Sequence, residues 1–149
     1  MREEIQNPYP DKACFLCGSD NAQGLHLKVY WDKDTQEAST EYMPAPHFAG
    51  QGNILHGAIQ TGLLDEIMGW TCYAVAQHLA VTSELTVKFV HPVYIRGERI
   101  QVACRILSQD GPKVHLYATL ANAEGQVCTI ATGSFHLLPP ERYKKLIHG

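Results

Sequence analysis

The sequence predicts an α+β fold in which an antiparallel sheet packs against one long helix. One long segment is apolar on most faces and has helical spacing. Two stretches before it and four after it have the apolar pattern of strands, and turn residues separate them. A single helix lying across such a sheet makes two layers, which is the arrangement of an α+β domain.

Composition limits the class of protein. The chain has 149 residues and 45% apolar content, which fits a single domain over residues 1–149. Its net charge is −3 and no basic run is present, so we expect no nucleic-acid partner. No apolar stretch approaches the roughly 20 residues of a membrane span, and the acidic, polar start lacks the pattern of a secretory signal. An odd count of five cysteines, mostly in apolar segments, predicts a reducing, cytoplasmic setting.

The first elements are short. Residues 1–24 form an N-terminal arm, loose and extended up to residue 13, followed by a turn that contains two cysteines. Leu25–Trp31 alternates and predicts a strand, and Glu37–Met43 predicts a second strand that closes a hairpin. A proline- and glycine-containing loop then leads to about Ile54.

The long helix is predicted from about His56 to Gln77. Apolar residues recur at helical spacing on two faces, which predicts a buried helix. Three glycines weaken it by about 1 kcal/mol each relative to alanine, which suggests close packing against a sheet or a second copy of the helix.

Four strands follow the helix: Ala80–Val90, Ile100–Leu107, Val114–Ala121 and Val127–Leu138. The last three are joined by short turns and therefore form a meander. The polar tail, residues 139–149, is predicted to be a short helix or disordered.

Chemistry-bearing residues concentrate around the helix. His56 and Gly57 lie at its start, where unpaired N–H groups favour a developing negative charge. Asp65 and Glu66 lie in its apolar middle, where a carboxylate is costly to bury unless it is paired or used. Together they predict an oxyanion site and a general base, although Asp65 alone also fits a structural acid. Glu66 points about 100° away around the helix and is interpreted as a salt-bridging or gate residue.

Cys14 and Cys17 form a C-x-x-C pair. Such a pair can be half of a zinc site, which His26 or His47 would have to complete, or a redox pair. Because no second pair exists, we favour a packed N-terminal turn and expect no metal.

Further motifs resemble the PaaI-type acyl-CoA thioesterases of the hotdog superfamily. They are Cys14-Phe-Leu-Cys17-Gly18 with Asn21 and Gly24-Leu25, His56-Gly57 followed by Leu64-Asp65-Glu66-Ile-Met68-Gly69, the strand from Val81 to Phe89 with Thr82, and Pro92. The resemblance covers roughly residues 14 to 138 and implies an antiparallel sheet wrapped around one central helix. It also implies hydrolysis of acyl-CoA thioesters to free acid and CoA.

The resemblance assigns roles to four residues. The Gly57 amide would polarise the thioester carbonyl, Asp65 would act as general base or nucleophile, and Thr82 would orient the acid or the water. His56 would shape the start of the helix. Where many relatives have a second glycine, this chain has Ala58, which together with Glu66 is a candidate for substrate binding.

Other residues are candidates for substrate binding. Some relatives carry an asparagine six residues before the histidine, whereas this chain has Gly50 there, with Gln51 and Asn53 as the nearest amides. Arg96 and Lys113, at or beside loops, are candidates for the CoA phosphates, although solvated surface charges are an equal interpretation. No metal or organic cofactor is implied.

Spacing predicts an oligomer. Gly57 and Asp65 are roughly 12 Å apart along one helix, so one carbonyl cannot easily contact both. If both act together, two antiparallel helices across a two-fold axis would have to supply them. We therefore expect a homodimer or a dimer of dimers. The alternatives are an acyl-CoA binding module without catalysis, since fold alone does not decide activity, and, third, a hotdog dehydratase.

Overall fold

The computed structural model describes residues 1–8 and 12–149, and the predicted α+β arrangement is confirmed. Its strands and helices are β1 (Arg2–Glu4), β2 (Tyr30–Asp32), β3 (Glu37–Tyr42), a 3-10 turn (Pro46–Phe48), α1 (Gly57–Ala76), β4 (Ala80–Phe89), β5 (Ile100–Asp110), β6 (Lys113–Ala121), β7 (Val127–Leu137) and α2 (Pro140–Ile147). Among the described residues, neither α-helix combines the length and apolar character of a membrane-spanning segment.

The strands form one antiparallel sheet in the order β1-β2-β3-β5-β6-β7-β4. The predicted meander is β5-β6-β7, and β4 pairs with β7 at one edge. The strand that follows α1 therefore has one side without a strand partner among the described residues. At its end, Phe89 and Val90 are 56% and 53% exposed.

The N-terminal region differs from the prediction at one strand. Residues 1–13 were expected to be an extended or loose arm; Arg2–Glu4 pairs with β2 as a short strand, and residues 9–11 lie outside the described part. The predicted strand Leu25–Trp31 is reduced to Tyr30–Asp32, because the backbone of Leu25 and Leu27 bonds to the cysteine turn at Phe15 and Leu16. Its apolar alternation reflects burial against that turn rather than a sheet ladder.

Helix α1 lies across the inner face of the sheet. Leu63, Leu64, Ile67, Met68 and Cys72 are fully buried against strands that include β4 to β7. Apolar side chains cover roughly two faces of the helix, as the sequence predicted, so burial rather than helix propensity holds it in place.

Candidate active site

The start of α1 is held by a loop that bonds back to the chain after β4. Leu55 N donates to Val93 O at 2.7 Å, and His56 N donates to Phe48 O at 2.9 Å. His56 is the N-cap, and its Nδ1 accepts the Ala58 amide at 2.9 Å. A side chain that accepts from the second helical residue is the usual cap geometry, so His56 has a positional role here.

The first turn of α1 leaves the Gly57 amide available. His56 O accepts the N–H groups of Ile59 and Gln60, and the His56 ring accepts that of Ala58. No acceptor among residues 1–8 and 12–149 bonds to Gly57 N. A free N–H at a helix start carries the positive end of the helix dipole and suits an oxyanion. The Phe89 ring lies 3.3 Å from where a Gly57 Cβ would stand.

Asp65 and Thr82 are brought together by tertiary packing. Thr82 Oγ1 donates to Asp65 Oδ1 at 2.6 Å, although the two residues are 17 positions apart in the chain. A β-bulge at Ser83 follows, where the register of β4 against β7 shifts between Thr82 and Glu84. Bulges redirect side chains at sheet edges, which fits the turn of Thr82 toward the helix. Asp65 is half-buried and its second oxygen, Oδ2, receives no bond from another described residue.

Asp65 also borders a small cavity of about 90 Å³, together with Glu66, Gly69, Trp70, Thr82 and Phe135. The cavity lies between α1 and the start of β4. It gives a small molecule or a water a route to the carboxylate. Within one chain, however, Gly57 lies eight residues earlier on the helix, roughly 12 Å from Asp65.

Glu66 differs from its prediction as a salt-bridging residue. Its Oε1 accepts the Trp70 indole N–H at 3.2 Å and lies 3.6 Å from Cys14 Sγ. No cation among the described residues pairs with it. Burial raises the pKa of Glu66, against smaller lowering effects of hydrogen bonds from the cysteines and Trp70. Trp70 and the cysteines were not predicted here, although Trp70 stands four residues after Glu66, the spacing of neighbours on a helix.

The predicted substrate-binding residues separate into two groups. Gln51, Asn53 and Ala58 are exposed beside the helix start, and Arg96 joins them because Asn53 O accepts the Ile95 amide. The Arg96 guanidinium lies 4.6 Å from the centroid of the Tyr94 ring. Lys113 is exposed near the Asp65 end of the site. In the sheet register, Lys113 of β6 lies opposite His136 of β7, and His136 lies opposite Val81, the neighbour of Thr82.

A model of the thioesterase superfamily matches residues 52–129, just over half of the chain. That segment contains Gly57, Asp65 and Thr82. No curated protein sequence matches the chain significantly.

Solved structures agree on the fold. A crystal structure of a thioesterase superfamily protein has a TM-score of 0.75 and 21% identity over 84% of this chain, and the match covers only 60% of that protein's length. The Escherichia coli PaaI protein from the phenylacetic acid degradation operon has a TM-score of 0.69 and 15% identity over 77% of this chain and 81% of its own. A Bacillus halodurans protein solved with CoA has a TM-score of 0.67 and 24% identity over 77% of this chain and 76% of its own. These likenesses confirm the hotdog fold.

Proposed function

The chain belongs to the thioesterase superfamily, and from this premise we propose that it hydrolyses acyl-CoA thioesters to free acid and CoA. The observation that carries the proposal is the hydrogen bond from Thr82 to Asp65. Asp65 lies on α1, and the first amide of that helix, Gly57 N–H, is free. An acid held by one hydroxyl donor, with a second oxygen left for chemistry, suits proton transfer.

We propose that Asp65 acts as general base. Thr82 holds Oδ1, and Oδ2 takes a proton from a water whose oxygen attacks the thioester carbonyl carbon. The carbonyl electron pair moves to oxygen, and the Gly57 amide donates to that oxyanion. When the pair returns, the C–S bond breaks and the CoA sulfur takes the proton from Asp65. A preset donor of this kind contributes about 3–4 kcal/mol to the barrier reduction.

The site requires two chains in this proposal. Because Gly57 and Asp65 of one helix stand roughly 12 Å apart, the amide of one protomer serves the acid of the other. The free side of β4 and its exposed end, Phe89 and Val90, support an interface at that edge, where strands of two copies can pair. A two-fold axis then gives two equivalent sites.

CoA is the proposed carrier. The Bacillus halodurans protein of similar fold was solved with CoA. In this chain, we assign Arg96 to the phosphates, because it is exposed beside the helix start and no carboxylate among the described residues forms an ion pair with it. Lys113, at the Asp65 end, is a second candidate. The five cysteines are free thiols, which supports the reducing, cytoplasmic setting expected from the sequence.

The test is thioester loss across aryl and aliphatic acyl-CoAs, with Asp65→Asn beside the parent. We expect the substitution to lower kcat by about 10²–10⁴ while the fold is retained. Asp110→Asn, at the exposed end of β5, is the matched control and should keep full turnover. Saturable acyl-CoA binding without turnover in the parent would instead identify a binding module.

Repeated turnover in water labelled with the heavy oxygen isotope tests whether Asp65 acts as a base or as a nucleophile. If Asp65 is the base, the label appears in the free acid and the peptide that contains Asp65 stays unlabelled after repeated turnover. Label in that peptide would show that the carboxylate itself attacks the thioester.

A further inference from the structure

A second cluster of reactive side chains includes Glu66, the residue that follows Asp65 on α1. It comprises Cys14, Cys17 and Glu66, and their ligand atoms all lie within 4.8 Å of one another. Cys14 Sγ and Glu66 Oε1 are 3.6 Å apart. The chain connects the two cysteines through a tight turn, whereas Glu66 comes from the middle of α1, 52 positions after Cys14. Only the tertiary fold brings the three together.

The cysteine turn holds both thiols on one side. The Cys17 amide donates to Cys14 Sγ at 3.4 Å, and the Gly18 amide donates to Cys14 O at 2.8 Å. Gly18 has no room for a Cβ, which would collide with the backbone of Lys12 and Cys14. The turn is therefore fixed by its own backbone and keeps the two sulfur atoms close together.

In the part of the chain that the structure describes, no ion pair neutralises the cluster. No Lys, Arg or His among the described residues forms an ion pair with Glu66. Cys17 is buried, and Cys14 and Glu66 are half-buried. A carboxylate withdrawn from water beside two thiols is costly when charged, and a bound dication is one way to compensate it.

We propose that Cys14, Cys17 and Glu66 bind one divalent cation of the zinc class, with the fourth position left to water. Two thiolates and one carboxylate are ligands that zinc accepts, and around a tetrahedral zinc two sulfur ligands stand roughly 3.8 Å apart. Small side-chain rotations therefore bring the observed cluster to that geometry. This proposal does not depend on the proposed hydrolase activity, and it departs from the expectation of no metal drawn from the sequence.

The site has a route to solvent. Cys17 and Trp70 line a cavity of about 240 Å³ that also contains Lys12 and His26. His26 Nε2 is bonded to Asn21 O at 2.6 Å, and the ligand atoms that cluster with the two cysteines come from Glu66 and not from His26. A metal held here would fasten the N-terminal turn to α1 at the residue next to Asp65.

The test uses the reduced full-length protein, freed of metal with a chelator, and Zn²⁺ alone as probe. Equilibrium dialysis should give one zinc per chain, and Co²⁺ should show the thiolate-to-metal charge-transfer absorption of cysteine ligation. Glu66→Gln, which keeps the size of the side chain, should weaken zinc binding by more than about tenfold, the loss that even outer-shell changes cause. Cys14→Ser should abolish the charge-transfer band or greatly reduce it.

The control is Cys128→Ala, which removes a buried thiol outside the cluster. It should bind zinc as the parent does. Absence of stoichiometric zinc in the reduced parent would overturn the proposal. So would unchanged zinc affinity in Glu66→Gln, or an equal loss in Cys128→Ala. Because Glu66→Gln removes no thiol and fills the same space, the test holds even if the cysteine variants fail to fold.

Discussion

At the scale of single residues, Thr82 and Asp65 form the bond on which the proposed chemistry depends. The hydroxyl donates at 2.6 Å to a carboxylate oxygen and leaves the other oxygen for a proton. A hydrogen bond to a charged group contributes about 1.5–3 kcal/mol. Thr82 is exposed on an edge strand, so this bond rather than core packing explains its position.

Thr82→Val removes the hydroxyl and keeps the shape of the side chain. We expect kcat for acyl-CoA hydrolysis to fall about tenfold or more, because the acid loses its orienting donor. Thr82→Ser retains a hydroxyl and should lose far less. Steady-state kinetics on all three proteins is the measurement, and equal rates for the valine and serine variants would contradict an orienting role.

Protonation of Glu66 makes the folding stability of the chain depend on pH. Its pKa is raised in the folded chain, above the ordinary value of 4.5, chiefly by burial. The folded state therefore holds its proton more tightly than the unfolded state. The stability contributed by the protonated form is complete below the ordinary pKa and is lost as pH rises through the folded pKa.

Glu66→Gln should remove this pH dependence in metal-free protein. We expect the variant to melt at a higher temperature than the parent at about pH 8, because a buried charge is gone, and the advantage to vanish toward about pH 4. Each 1 kcal/mol corresponds to roughly 2–4 °C in a chain of this size. Thermal melts with a chelator present measure it. Glu124→Gln, at an exposed turn, is the control, and an advantage independent of pH would refute the explanation.

At the scale of elements, α1 contributes an acid and a free amide eight residues apart. The amide can be deleted without deleting the helix, because proline is tolerated at the first helical position. His56 before it has φ −56° and ψ 136°, a conformation that a following proline accepts.

Gly57→Pro should therefore lower kcat by about 10²–10³ with the helix retained, because the oxyanion loses its donor. Gly57→Ala is the matched control: it introduces the same Cβ against the Phe89 ring, 3.3 Å away, and keeps the N–H. Kinetics together with circular dichroism separates lost chemistry from lost structure. An alanine variant as slow as the proline variant would mean that space, not the amide, is what Gly57 provides.

Strand β4 is the second element with a functional consequence. It lies at the edge of the sheet, and the side chain of Val90 just beyond it is 53% exposed. A long edge strand with exposed apolar residues is a surface that proteins usually cover.

Val90→Asp should convert the proposed dimer into monomers and abolish turnover. Leu107→Asp is the control, because Leu107 is 55% exposed but lies on β5, in the interior of the sheet order. Sedimentation velocity measures the mass of each variant. A Val90→Asp protein that stays dimeric would place the interface elsewhere.

At the scale of the whole molecule, the proposed active site belongs to two chains. This arrangement predicts complementation between two inactive variants, Asp65→Asn and Gly57→Pro. A mixed dimer has one site with both intact groups and one site with neither. If half of the dimers are mixed, the preparation should recover about a quarter of the parent rate.

The measurement is turnover after the two variants are unfolded together and refolded, compared with each variant refolded alone. A mixture that stays as inactive as its components would place both groups of the site within one chain. The Asp65→Asn protein mixed with itself is the baseline.

Local sequence patterns determined most of the secondary structure and the superfamily of this protein. The periodicity of α1, the turns between β5, β6 and β7, and the position of His56 as a helix cap follow from near neighbours in the chain, and the structure agrees within a few residues. The superfamily was also evident, because the spacing from Gly57 to Asp65 and the strand with Thr82 are local patterns.

Tertiary structure alone decided the contacts between distant segments. It extended the sheet with Arg2–Glu4, gave the backbone of Leu25 to the cysteine turn, and placed β4 at the edge beside β7. It also carried Glu66 to the two cysteines, which the sequence analysis had interpreted as a packed N-terminal turn. Helix periodicity predicts that a residue such as Glu66 lies off the apolar face, but it does not predict which segment of the chain that residue contacts. That choice depends on the packing of the whole core, which no local pattern contains.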